Sequence, residues 1–265
     1  MPDPAALLDL DRYPIVGPGR DDLVERARGM LEADGIVVLP GFVRPDALAD
    51  LVVALDALVP TGHHSSVEGT PYLGLPDEGA PDGHPRRHLV RSSLTAVAYD
   101  RFDGRSALRT LYEWEPLATF VRDVVGLDEI HRYADPLGAL NVASMADGDE
   151  LGWHFDQTDF VTSIAVRSSE VGGDFEVASR LRDAGDERYD SVAAVLGGDR
   201  GPVTHVPFKP GALMVFAGRH SMHRVTPVEG PTPRLVALLA YDSEPGTDSS
   251  ELLKLVRYGR LPEAV

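Results

Sequence analysis

Apolar positions recur at helical spacing over 21–33, DDLVERARGMLEA, where Leu23, Val24, Ala27, Met30 and Leu31 fall on one stripe before Asp34-Gly35 breaks it. A strand follows over Ile36 to Leu39 and is stopped by Pro40-Gly41. Pro45 then opens a second amphipathic helix through Leu48, Leu51, Val52, Leu55 and Leu58. The pattern fails over 60–94, where proline and glycine recur every few residues, and this stretch reads as a long ordered loop. His63, His64, Tyr72, His84, Arg86, Arg87 and His88 are interleaved in it, so it is expected to roof a functional site.

Helical spacing returns over 106–113 and 115–126. From residue 137 onward, short β-prone runs alternate with turn residues: LGALNVASM, WHFDQTDFVTSIAV, DFEVAS, VTHVPF, ALMVFAG, HRVTPV and RLVALLAYD. Many short strands of this kind predict a sandwich, jelly roll or barrel rather than a parallel doubly wound sheet. Residues 181–196 interrupt the series as an inserted loop with a short helix. The expected organisation is a single domain over 1–265, with a helical lead-in over about 1–130, a β core over about 131–245 and a C-terminal helix over about 248–260.

Composition narrows the chemistry. The chain has 265 residues, of which 43% are hydrophobic, enough to bury one sizeable core. Cysteine is absent, so thiolate metal sites and cysteine nucleophiles are excluded, and a metal must be held by His, Asp or Glu. A formal net charge of -17 argues against nucleic acid and mildly favours a cationic ligand. No long apolar run and no basic-apolar leader is evident, so no membrane partner is expected and the localisation expected is cytoplasmic. A small-molecule substrate is the expected partner, and a homodimer is compatible with the sequence.

Within this frame, Trp153-His154-Phe155-Asp156 stands out. Side chains two apart on a strand share a face, so His154 and Asp156 can grip one cation. A third ligand must come from Gly218 to Val228, which offers His220 and His223. His223 directly precedes an alternating strand, whereas His220 falls in the turn before it. Two histidines and one carboxylate leave three positions open, the arrangement of non-haem Fe(II) oxygenases, with zinc as a less suitable occupant. Arg234 lies eleven residues beyond His223 on the next predicted strand, where a buried guanidinium fork would match the distal carboxylate of 2-oxoglutarate.

HFD, HRVTPVEG and PRLVAL together resemble the Fe(II)/2-oxoglutarate-dependent dioxygenase superfamily, and DGIVVLPGFVRPDALADLVVAL resembles the lead-in of many members. The resemblance implies a mainly β chain with a double-stranded β-helix (jelly roll, cupin-like) core and N-terminal and flanking α-helices. It also implies Fe(II), 2-oxoglutarate and O2 as cofactor and cosubstrates, and His154, Asp156 and His223 as catalytic metal ligands. LNVASMADGDELGWHFDQTDFVTSIAV, GGDFEVAS and SSELLKLVRYGR are most similar to the group of free-amino-acid radical halogenases and their hydroxylating relatives. In those halogenases the carboxylate position is Gly, which frees a site for chloride. Asp156 stands there in this chain, so the resemblance implies hydroxylation, most naturally of a free amino acid.

Further site residues follow by neighbourhood. Superfamily members often carry Ser or Thr two residues after the arginine, but position 236 is Val, so Thr162 or Tyr133 is expected to assist the cosubstrate carboxylate. Asn141 sits mid-strand among apolar residues, where an amide is costly unless it is paired, and is expected to face the cosubstrate or the substrate. Arg86, Arg87 and Asp242 are the substrate-contact candidates. Trp153 and Phe155 read as walls. Rival readings are a metal-binding sensor without turnover, a zinc or manganese hydrolase, and a halogenating or desaturating variant of the same chemistry.

Overall fold

The structure is a computed structural model that describes residues 3–263. The chain opens with α1 (Arg20–Asp34), β1 (Ile36–Leu39) and α2 (Pro45–Leu58), followed by β2 (His63–Gly69) and β3 (Val90–Val97). Helices α3 (Ala107–Glu113) and α4 (Glu115–Val125) precede β4 (His131–Arg132), β5 (Leu140–Met145) and β6 (Leu151–His154). Next come β7 (Val161–Arg167), β8 (Val171–Gly172), β9 (Phe175–Ala178), α5 (Tyr189–Leu196) and β10 (Thr204–Val206). The chain ends with β11 (Leu213–Phe216), β12 (Met222–Val225), β13 (Val228–Glu229), β14 (Arg234–Leu239), β15 (Tyr241–Asp242) and α6 (Glu251–Tyr258).

Local signals set the helix ends. Gly35 closes α1 at φ 73°, a left-handed stop that suits glycine, and Pro45 starts α2 where its missing N–H costs nothing. Ser250 caps α6 by accepting from the Leu253 amide, and Gly259 ends it at φ 69°.

Eleven strands form one antiparallel sheet in the order β1-β11-β7-β14-β5-β3-β6-β12-β9-β10, with β2 beside β3. The sheet curls, and its two faces bury different cores. Outward-facing Val142, Ile164, Val166, Leu235, Ala237 and Leu239 pack beneath the helices, against residues such as Leu111, Phe120 and Val124. Inward-facing Ala143, Met145, Ala165, Val236, Met214 and Phe216 line the interior of the curl with Phe175 and Val225. This is the mainly β, helix-flanked architecture expected, with two differences. The stretch 60–94 is not all loop, because β2 and β3 form a hairpin arm of the sheet, leaving only 70–89 irregular. The β core also reaches back into the lead-in, since β1, β2 and β3 all pair into the main sheet. Among the described residues no helix is long and apolar enough to cross a membrane.

Candidate metal centre and active site

Strand pairing assembles the metal ligands. His154 ends β6 and stands directly opposite His223 of β12 in the antiparallel register. Asp156 follows two residues later, its amide donating to the Gly218 carbonyl at 3.2 Å, while the Phe155 amide donates to the Pro71 carbonyl at 2.8 Å. The ligand strand is thereby fastened to the turn before β12 and to the irregular segment above it.

The three side chains converge. One atom from each of His154, Asp156 and His223 lies within 4.8 Å of the others. Asp156 Oδ1 is 3.8 Å from His154 Nε2, and Oδ2 is 3.5 Å from His223 Nε2. Both imidazoles use Nδ1 on a backbone carbonyl two residues back, Gly152 at 2.7 Å and Ser221 at 2.9 Å. A carbonyl only accepts, so each Nδ1 carries a proton and each Nε2 is turned to the shared point, where a neutral ring offers its lone pair to a metal. Asp156 Oδ2 is buried with no hydrogen bond, the signature of an oxygen that awaits a cation. His223 is walled by Phe216 and Phe175, with ring centroids 4.7 and 5.5 Å away.

Charge is arranged to match. Burial, helped by His223, depresses His154 to about 4, so its ring is neutral near pH 7. Burial also works against a proton on His223, but the Asp156 carboxylate outweighs it and raises that ring. Asp156 is held below the usual carboxylate range by His223 despite the cost of burial. His220 is outside this set, with its Nδ1 buried and unpartnered.

Gly218 is the residue that makes room. A Cβ there would lie 1.7 Å from Asp156 Oδ2, so only glycine lets the carboxylate sit where it does. Nothing in the sequence singled Gly218 out, although its place just before the distal histidine segment was a clue.

Arg234 opens β14 opposite Met145, and parity with Val236 turns it into the curl. It is 7% exposed, and among the described residues its only hydrogen-bond contact is Met145 Sδ at 3.8 Å. Burial lowers it to about 10, with Asp174 pulling weakly the other way. It borders a cavity of about 210 Å³ with Phe175, Phe208, Lys209 and Asp174. A buried cation without a hydrogen-bonded carboxylate calls for an anionic guest.

The other candidates divide. Asn141 shares the inward face with Ala143 and Met145, and its Oδ1 is buried without a partner. Tyr133 is raised to about 12 by burial and then by Asp242, Asp135 and Asp156, and its ring packs against the core beneath the helices. Thr162 does not face the interior. It shares the outward face with Ile164 and Val166, opposite Leu239 and Val215, because β7 is buried on both sides and its parity runs the other way. Ser163, opposite Leu238 and Met214, is the inward hydroxyl, and it too is buried without a partner. Arg87 is not free for substrate, being tied to Asp82 at 2.7 Å and to the Ala80 carbonyl. Arg86 is exposed and lies 5.7 Å from the Tyr189 ring and 6.0 Å from that of Tyr72. Tyr72 stacks on Phe155 at 5.6 Å, so the irregular segment does cover the ligand strand. Asp242, partly buried on β15, accepts from the Glu244 amide at 3.3 Å.

A curled antiparallel sheet carrying two histidines and a carboxylate at its interior is the fold of the 2-oxoglutarate/Fe(II) oxygenases. A Burkholderia pseudomallei oxidoreductase of the 2OG-Fe(II) oxygenase family superposes with a TM-score of 0.53 at 16% identity, over 84% of this chain and 92% of that one. The α-ketoglutarate-dependent carbocyclase SnoK of nogalamycin biosynthesis gives 0.59 at 13% identity, over 92% and 95%. EctD from S. alaskensis, solved with 2-oxoglutarate and 5-hydroxyectoine, gives 0.53 at 18%, over 91% and 81%. No curated protein matches the sequence. Residues 84–253 match the family described as Halogenase D, and the chain belongs to that family.

Proposed function

We propose that this chain is an Fe(II)/2-oxoglutarate-dependent oxygenase that hydroxylates an unactivated C–H bond of a free amino acid or a related small metabolite. The observation that carries the reading is Asp156, placed against the Nε2 atoms of His154 and His223 with a buried, unbonded oxygen. When bound, Fe(II) with 2-oxoglutarate and O2 supplies the oxidising power, the cosubstrate leaving as succinate and CO2.

The chain's own residues supply position. His154, Asp156 and His223 hold the metal, with the Gly152 and Ser221 carbonyls fixing both rings. Arg234 receives the distal carboxylate of the cosubstrate, and Asn141 and Ser163 offer polar atoms on the same interior face. Phe175 and Phe216 keep water from His223. Tyr72 and Phe155, with the Arg182 guanidinium 4.1 Å from the Phe155 ring centroid, form the cover.

Membership of the Halogenase D family favours a second reading, halogen transfer. Asp156 speaks against it, since its carboxylate fills the place that the halogenase resemblance leaves to Gly and chloride. Succinate release under air from the Fe(II)-loaded protein, measured across the amino acids with and without chloride, tests the proposal. Amino-acid-dependent release with a product heavier by one oxygen supports it. Chlorinated product establishes the second reading, and release that no amino acid stimulates removes the first.

A further inference from the structure

Only two of the 25 basic residues are lysines, and their surroundings are opposite. Lys254 on α6 is buried and clamped, 2.5 Å from Asp248 and 3.9 Å from Asp135. Lys209 is exposed and, among the described residues, makes no ion pair and no side-chain hydrogen bond, although the chain has 42 acidic residues. It lines the cavity of about 210 Å³ that Arg234 borders.

Backbone contacts hold it there. Lys209 stands just before β11, where the Gly211 amide donates to the Ala165 carbonyl at 2.8 Å and the Ala165 amide to the Ala212 carbonyl at 3.0 Å. Ala165 stands opposite Val236 of β14, two residues on from Arg234. Across the cavity the β8 connection rests on the arginine, since a Cβ on Gly173 would meet Arg234 Cδ at 3.0 Å. The other charges of the lining are committed. Arg167 holds both carboxylate oxygens of Asp56 at 2.8 Å, Glu170 accepts from Thr232 Oγ1 at 2.8 Å, and Asp174 lies 3.8 Å from His205. Arg234 inside and Lys209 at the rim are left without a carboxylate among the described residues.

The cavity has room for several waters of about 30 Å³ each but falls below the roughly 300–1,000 Å³ of sites for drug-sized ligands, so its guest is small. Two uncommitted cations on one small chamber select an anion, and Val236 beside Arg234 has no polar atom to share it. We propose that Lys209 is a second cation for the distal carboxylate of the cosubstrate, a rim charge that holds with Arg234 the diacid tail and disfavours 2-oxo acids that lack it. This assignment rests on the oxygenase reading for the identity of the anion.

Amine labelling reads Lys209 directly, because the only other lysine is buried. The Fe(II)-loaded protein is treated anaerobically with an acetylating reagent, and acetylation of Lys209 is followed by peptide mass spectrometry. Three states are compared: no addition, 2-oxoglutarate, and 2-oxobutanoate, which has no distal carboxylate. The expected result is that 2-oxoglutarate slows acetylation at least about threefold, within the range of an exposed ion pair, and that 2-oxobutanoate leaves it unchanged. Equal protection by both acids overturns the proposal, as does no protection by 2-oxoglutarate that calorimetric titration shows to be bound. In the same titration Lys209→Gln should weaken 2-oxoglutarate binding about threefold. Lys209→Glu doubles that free-energy change and should reach about tenfold, while Lys209→Arg should stay near the parent. The losses should shrink at high salt, and Arg105→Gln, an exposed arginine that does not line the cavity, should cause none. Unchanged affinity in Lys209→Glu sinks the Lys209 assignment alone. A parent protein that binds no 2-oxoglutarate sinks the oxygenase reading, and the proposal with it.

Discussion

Gly218→Ala isolates what the metal centre demands of its surroundings. The added carbon would sit 1.7 Å from Asp156 Oδ2 and 2.6 Å from its Cγ, where even 3.0 Å is essentially never seen. The carboxylate must therefore retreat by more than 1 Å, against a tolerance of about 0.5 Å for a productive ligand geometry. Its amide link to the Gly218 carbonyl gives the backbone little freedom to share the shift. Changes of this kind next to a metal ligand typically cost about 10- to 100-fold in metal affinity. The assay is an anaerobic Fe(II) titration of the variant and the parent, followed by the intrinsic fluorescence of the chain, with a thermal melt as a fold check. Gly29→Ala, at an exposed helix position with nothing within 4 Å of its Cβ, is the control and should not alter metal affinity. A folded Gly218→Ala protein that binds Fe(II) as tightly as the parent would refute the reasoning, because Asp156 would then be dispensable as a ligand or free to move.

Arg234→Leu should raise the 2-oxoglutarate KM roughly 10- to 100-fold, the worth of one or two charged hydrogen bonds, while the substrate KM moves far less; equal changes in both would remove the cosubstrate assignment. Thr162→Val should leave 2-oxoglutarate dependence unchanged and not lower the melting temperature, since the hydroxyl it removes is buried and unbonded. Ser163→Ala should weaken cosubstrate binding, and the opposite outcome for the pair would reverse the facing of β7. In the metal-free protein Asp156 holds a proton on His223 above the ordinary histidine range, so Fe(II) must displace it. Metal affinity should then fall by about tenfold per pH unit below the folded pKa of His223, as expected for one competing proton. The same raised pKa adds stability to the metal-free fold that is complete below the unfolded value and lost as pH rises through the folded one. Pairing a pH series of Fe(II) titrations with melts of the metal-free protein checks both signs.

The ligand set was legible because its chemistry is local. His154 and Asp156 are two apart at a strand end, and His223 differs from His220 by standing at the head of an alternating run. The face of β7 was not legible, because VTSIAVR is buried on both sides and carries no polar alternation to mark the interior. Hence Thr162 and Ser163 could not be told apart before the pairing with β14 and β11 was known. The β2–β3 arm was hidden for the converse reason. HHSSVEG is polar because β2 pairs with β3 alone, and the prolines and glycines around 70–85 drown its signal. Gly218 depends on a contact between distant elements, its closeness to Asp156, which no periodicity encodes.

The most direct test of the central claim is to run the Fe(II)/2-oxoglutarate-loaded protein with the amino acid that stimulates succinate release, under ¹⁸O₂ and in the presence of chloride, and to weigh the product. The account predicts one ¹⁸O atom in the amino-acid product and no chlorine. A chlorinated product, or a product whose new oxygen comes wholly from water despite rapid quenching, would contradict it.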